Sequence, residues 1–424
     1  MRYWIPLLAL AGCTKDDDQP VQINCEVQDD NALRVDCQSS KAVAFSYESG
    51  EKSRKIEVEG AFTLSGMAPN ATWVWSAGGA TGAFTTDALP DGIPGVSASG
   101  EGTVPYVFFA TGGYAIIADS SGEVVWYQLY ENGWTIEGGI SGFDFTAQET
   151  VLVVANNVIS ERTLSGEEIV HIEREDRPLH HDVFNADGLT YALNASLYSY
   201  PAGDFVIDGL YIYDGPDRVA EWDLADHLSA DPEVSDEGLS LFWGLEFPGA
   251  EDYAHTNGVF AAPDGTILLS LRHENAIWAL HGVDSPEFGT VKWVLGGNDS
   301  DFAITSEVTE YTELIGQHHP RISSNGVVTA FDNRLADNAR TVAYAIDESS
   351  WSAEITEVHP MGETCSVQGA NYPLQSGNVL ATCGEKHRIT EIATDDTVLW
   401  ELQVDTVSHV VARGIPIQER PSGW

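Results

Sequence analysis

The sequence predicts an all-β chain: a small β-sandwich over residues 21–92, then a six-bladed β-propeller over residues 96–424. Three observations carry this. Short alternating segments separated by polar turns fill the first part, long amphipathic helical patterns are nearly absent, and from about residue 96 one strand–turn–strand unit recurs. Each copy ends on a Trp or an aliphatic pair. The six closing segments are Gly122–Trp126, Gly166–Val170, Arg218–Trp222, Gly289–Trp293, Ala353–Ile355 and Asp396–Trp400. Their uneven spacing implies variable loops on a constant four-stranded unit. A β-helix would need shorter and more regular coils.

Taken in order, residues 1–20 read as an export signal and tether. Arg2 precedes a short apolar run that ends Leu10-Ala11-Gly12-Cys13, and a polar stretch follows. Its last four residues resemble the lipobox of bacterial lipoproteins, which implies cleavage before Cys13 and acylation of that cysteine. The expected location is therefore an exported, membrane-anchored lipoprotein, periplasmic or at the cell surface. Four cysteines remain, and they fall into two local pairs, Cys25 with Cys37 and Cys365 with Cys383, each flanking a turn. An exported compartment permits both disulfides.

Residues 21–90 alternate as strands at Val21–Cys25, Ala42–Tyr47, Lys55–Val58 and Thr72–Trp75, and Ala88–Gly95 reads as the linker beyond them. Trp222–Leu228 reads as one helical turn. The segment from Val404 to Ile417 is expected to supply the strand that closes the ring. Lys and Arg number 20 against 65 Asp and Glu, a formal charge of −45. That excess argues against nucleic acid as a partner, because phosphate binding needs a basic footprint. The scattered acids fit a solvated surface.

The chemistry-bearing stretch runs from His255 to Asn333. It holds two similar hairpins, one turning at Asp264-Gly265 and one at Asn325-Gly326. Counting outward from the turns sets Asn257 against Arg272 and His318 against Asn333, with His255 on the same strand face as Asn257. The third repeat carries Leu179-His180-His181-Asp182 before its turn and Asn194 after it. In a propeller these positions open on one face. Three neighbouring repeats thus send histidines, including His319, to one mouth together with one Arg. A neutral imidazole is a nucleophile or a general acid–base, and a guanidinium binds tetrahedral oxyanions. The set suits transfer of a sulfuryl or phosphoryl group through a covalent histidine. Three histidines also fit a zinc site, but the short spacing of many zinc motifs is missing and an Arg opposes a cation.

Several motifs together are similar to the bacterial arylsulfate sulfotransferases. They are Leu179-His180-His181-Asp182-Val183, His255-Thr256-Asn257, Leu269-Ser270-Leu271-Arg272, Trp293-Val294-Leu295-Gly296-Gly297, and Gln317-His318 with Phe331-Asp332-Asn333. The resemblance covers about residues 96–424. It implies a periplasmic six-bladed propeller that moves sulfate from a phenolic sulfate ester to a phenol, with no nucleotide donor, no metal and no cofactor. By motif, His318 matches the nucleophile, and His255 and Arg272 the holders of the sulfuryl oxygens. His180 or His181 would assist. Asn257 and Asn333 are expected to orient them, and Asn194 and His319 to help bind substrate. The alternative is a surface lipoprotein that binds a ligand or partner without catalysis.

Overall fold

In a computed structural model the described residues are 20–130, 139–173, 176–228, 242–335, 337–406, 410–422 and 424. They form an all-β chain of many antiparallel sheets with only short 3₁₀ turns, one of them Leu224–His227, at the predicted helical turn. The predicted lipidation site, Cys13, lies outside the described residues. Among the described residues no helix is long and apolar enough to cross a membrane.

The N-terminal strands Ile23–Gln28, Asn31–Ser49, Lys52–Leu64, Thr72–Ala77 and Ala80–Thr85 join in one five-stranded sheet. The sequence predicts two sheets here, and the difference has a structural cause. The two long strands stay paired but shift register between Ser39 and Val43, so one sheet bends there. The partner along one edge of Asn31–Ser49 also changes, from the first strand to Thr72–Ala77. Phe45, Trp73, Trp75 and Leu64 fill the apolar core of this region. The disulfide Cys25–Cys37 joins directly paired residues, with Cα atoms 4.1 Å apart. Asn31 Nδ2 donates to the Tyr127 carbonyl (2.9 Å), and Lys52 reaches Asp119 (3.1 Å), tying this sheet to the next unit.

Beyond it the described residues form six sheets built on four-stranded meanders. All six closing segments read from the sequence fall in outer strands, such as Asp217–Asp223 and Val291–Gly296. The first unit is completed from the far end of the chain: Gly414–Ile417 pairs with Tyr106–Thr111. Gly95–Gly100 in turn adds to the outside of Val398–Asp405 in the sixth unit. The closing strand predicted within Val404–Ile417 is therefore its last four residues, and a second closure comes from the start of the repeat region.

The apolar cores lie between successive sheets. Leu193, Ile207, Leu210 and Ile212 of the third unit pack against Val259, Ile267 and Leu269 of the fourth. This burial is the main favourable term holding the repeats together. The first strands of neighbouring units pass so close that side chains are excluded at the crossings. A Cβ on Gly258 would stand 2.7 Å from Pro320 Cδ, and one on Gly142 would stand 2.9 Å from backbone atoms of Asp182 and Val183.

Register at these strand starts differs from a simple hairpin count. His318 pairs with Phe331, and Thr256 pairs with Leu271, because each ladder shifts where the strand begins. The backbone there takes a left-handed turn at a non-glycine residue: φ is 53° at His181, 50° at His255, 54° at His319 and 53° at Gln368. Non-glycine residues rarely hold this conformation, so its recurrence in four successive units marks a shared device for aiming side chains at the strand entrance.

Candidate active site

His318 begins the strand His318–Ile322 and is buried. Its Nδ1 faces two acceptors, Asn333 Oδ1 at 2.8 Å and the Gly316 carbonyl at 3.1 Å. Both can only accept, so Nδ1 carries the ring proton and Nε2 keeps its lone pair. Asn333 is held in turn: its Nδ2 donates to the carbonyls of Cys365 and Gln368, both at 2.7 Å. The disulfide Cys365–Cys383 anchors that support, as the sequence expected of this pair. Gln317, fully buried, clamps the other side. Its Nε2 donates to the Leu271 carbonyl (3.1 Å) and the Ala276 carbonyl (2.9 Å). Burial, then the charge of Arg272, push His318 down to about 3, so the ring is neutral at physiological pH.

His255 and Arg272 stand side by side because the Arg272 N–H donates to the His255 carbonyl (3.4 Å) at the end of the hairpin. His255 Nδ1 lies 2.5 Å from Asp252 Oδ2, a buried carboxylate that fixes its ring. His273 stacks on His255, with ring centroids 5.0 Å apart, and donates Nδ1–H to the Asp252 carbonyl (3.0 Å).

His181 completes the group. Its ring centroid is 4.6 Å from that of His255 and 4.6 Å from that of Phe242. Burial lowers its pKa well below the usual imidazole value, and the charges of His255, His318 and Arg272 lower it further. Imidazoles from three units and one guanidinium thus face one another, as the sequence anticipated. His181, His255 and Arg272 remain half-buried and so give the group an open side.

His180 lies behind His181, boxed by Trp243 at 5.0 Å between centroids. Its Nδ1 is 2.8 Å from His181 Nδ1, and its Nε2 is 3.4 Å from Asp208 Oδ1. Burial depresses it to about 4. The question of which of the two histidines reaches the site has a geometric answer: His181 meets His255, and His180 backs it.

Three expected residues point elsewhere. His319 turns away into the interior, where its ring lies 4.4 Å from that of Tyr372 and its Nδ1 accepts from the Asn371 N–H (3.4 Å). The charges that press on it are Arg321 and Arg413, not Arg272. Asn257 sits at the register shift and donates to the Gln317 carbonyl (2.9 Å), bracing the segment before His318. Asn194 is fully buried within its own sheet, and its amide lies 3.3 Å from Arg177 Nη1 and beside the Leu210 and Tyr211 N–H groups.

Asp252, Asp208, His273 and Phe242 were not anticipated from the sequence, and Gln317 was singled out there only as part of the Gln317-His318 motif. Asp252 lies three residues before His255, and His273 follows Arg272, so proximity was an available signal for both. Asp208 and Phe242 come from distant segments whose approach only the fold reveals.

Residues 96–356 match the model of the arylsulfotransferase (ASST) family. The chain belongs to the arylsulfotransferase family. No curated protein sequence matches it. Among solved structures it is similar to a protein of unknown function from Bacteroides caccae, at 13% identity and a TM-score of 0.45, covering 74% of this chain and 100% of that one. It is also similar to a streptogramin B lyase, at 12% identity and a TM-score of 0.42, covering 76% and 86%. A third is the Pan2 WD40 domain of Neurospora crassa, at 11% and 0.39, covering 76% and 82%.

One group among the described residues has the spacing of metal ligands: Asp252, His255 and His273 offer ligand atoms within 4.8 Å of one another. The neighbouring Arg272 guanidinium works against a cation there, whereas it favours an anion.

Proposed function

We propose that this protein moves a sulfuryl group from a phenolic sulfate ester to a phenolic acceptor through a covalent intermediate on His318. The observation that carries the reading is the fixed tautomer: Asn333 Oδ1 and the Gly316 carbonyl hold Nδ1–H, so Nε2 presents a lone pair. In the first half-reaction Nε2 attacks sulfur, the N–S bond forms and the S–O bond to the aryl group breaks, with the electron pair leaving on the phenolate. In the second, the acceptor gives up its phenol proton, its oxygen attacks the same sulfur, and the N–S bond breaks with its electron pair returning to His318 Nε2. Arg272 and His255 offset charge on the equatorial oxygens, where fixed donors act on the transition state. A neutral His318 needs no deprotonation before attack. Phe242, against His181 and His255, supplies a flat apolar face for an aryl ring.

In the same reading the six sheets are the blades of a six-bladed propeller over residues 96–424, and residues 21–92 are a small domain of two packed layers made by one bent sheet. Cys13 carries lipid and anchors the protein on the outer side of a bacterial membrane. Its small-molecule partners are phenolic sulfates and phenols. The test compares wild type with His318→Ala, using nitrophenyl sulfate as donor and phenol as acceptor. Loss of turnover in a variant with unchanged thermal unfolding supports the proposal; retained turnover rejects it.

A further inference from the structure

We propose that Asp208, His180 and His181 form a proton relay that gives a proton to the departing phenolate in one half-reaction and recovers it from the acceptor phenol in the other. This rests on the reading of His318 as the nucleophile. A ping-pong transfer between two phenols is served by such a relay, because the proton lent to the departing phenol must be regained from the acceptor, and the relay stands deprotonated while the sulfuryl group sits on the enzyme.

The geometry is a continuous line of polar atoms. Asp208 Oδ2 accepts the Thr256 N–H at 2.7 Å, which turns Oδ1 toward His180 Nε2 at 3.4 Å. Both of those atoms are buried, and neither makes a hydrogen bond of normal geometry, with the other or elsewhere. An orphaned carboxylate oxygen facing an orphaned ring nitrogen is costly unless a proton can sit between them. His180 Nδ1 then meets His181 Nδ1 at 2.8 Å, and two ring nitrogens can approach this closely only with one hydrogen shared. Among the described residues Trp243 packs on His180 and Phe242 on His181, and the line meets the half-buried face of the site at His181.

Two arrangements satisfy the contacts along this line. In the first, Asp208 is protonated and donates to His180 Nε2, His180 donates from Nδ1 to His181 Nδ1, and His181 bears its hydrogen on Nε2, ready to donate. In the second, every hydrogen has moved one place. Asp208 is ionised, His180 bears hydrogen on Nε2, His181 bears it on Nδ1, and His181 Nε2 is a base. Both imidazoles stay neutral in each arrangement, as their burial demands. Only Asp208 changes charge. Burial first, and then the nearby Asp252, raise its pKa well above the usual carboxylate value, which keeps the protonated form accessible; Asp223 acts in the same direction. Around His181 the facing groups are His255, His318 and Arg272, all of which disfavour an imidazolium.

His181 would be the catalytic acid–base, and His180 and Asp208 the positioning residues behind it. The deciding variant is Asp208→Asn in the full-length protein. Its amide oxygen keeps the Thr256 N–H, so its NH₂ faces His180 and holds a hydrogen it cannot release. Nitrophenolate needs no proton to leave at neutral pH. The first-turnover burst from nitrophenyl sulfate should therefore persist, while transfer to phenol at pH 7 falls by roughly 10²-fold. That deficit should close as pH rises toward the phenol's own value, near 10. Across donors, the rate should fall more steeply with leaving-group basicity than in wild type. His180→Phe, which keeps a planar ring in the same space, should reproduce the pattern and decides the matter if Asp208→Asn does not fold. Equal slowing of all donors, with an unchanged leaving-group slope and pH profile, would overturn the relay. A missing burst in wild type would instead overturn the His318 reading.

Discussion

Two histidine pairs, His180–His181 and His318–His319, look alike in sequence and are used differently. In both, the second residue is left-handed, with φ of 53° and 54°. In the third unit both rings stay together: His181 reaches His255, and His180 supports it through the Nδ1–Nδ1 contact of 2.8 Å. In the fifth unit the rings part. His318 joins the site, and His319 turns inward onto Tyr372. The difference lies in what waits on each side. Asn333 captures the His318 ring, and the Asn371 N–H captures that of His319. Adjacent identical residues acquire separate roles from their acceptors and donors, not from their place in the chain.

The largest effect should come from the ring that Asn333 captures. His318→Ala should reduce sulfuryl transfer by on the order of 10⁴-fold or more, measured as donor turnover. Arg272→Ala should follow at about 10²–10³-fold in kcat, because it removes charge that meets the transition state. Arg272→Lys should recover only part of this, since an ammonium lacks the planar fork. Asn333→Ala should cost roughly 10²-fold in kcat with little change in KM, since it frees the ring without touching substrate. Full kcat in Asn333→Ala would mean that the fixed tautomer is not what matters.

Acid should act on both pairs alike. His180 titrates near 4 and His318 near 3 in the fold, below the usual 6.5, and His181 and His319 are also lowered. Below pH 6.5 the unfolded chain therefore binds more protons than the folded one, so stability falls as pH drops through this window. Each such histidine contributes a loss of up to about 1.4 kcal/mol per pH unit until its own folded value is reached. Urea unfolding at pH 7, 6 and 5 measures it, and stability that held constant would contradict the burial argument. His319→Phe should remove one of these groups and flatten the acid slope. Its effect on transfer should be the smallest, within about threefold, because its ring faces Tyr372.

The repeat architecture was legible because each outer strand announces itself with a turn and a Trp or aliphatic pair, as at Gly289–Trp293. The meeting of His181, His255, Arg272 and His318 was legible for the same reason: once the units align, strand starts share a face. What failed was finer. Hairpin counting gave Asn257 a place beside the site, but the ladder shifts by a residue there and its amide reaches the Gln317 carbonyl instead. Asn194 pairs with Leu179 across the hairpin, yet its side chain lies inside the sheet. Counting also missed Asp208, which sits mid-strand in Gly203–Asp214, two strands from His180 in the same sheet, and meets it across the register shift that follows Leu179. A bulge and a tertiary contact leave no periodic trace in one sequence.

The most direct test of the account is the mass of the peptide bearing His318 after the enzyme is mixed with an aryl sulfate, without acceptor, and quenched in alkali. The account predicts one added sulfuryl group on His318, lost when phenol is supplied before the quench and never formed in His318→Ala. An unmodified His318 peptide from an enzyme that still turns over the donor, or a sulfuryl group found on His181 or His255 instead, would contradict it.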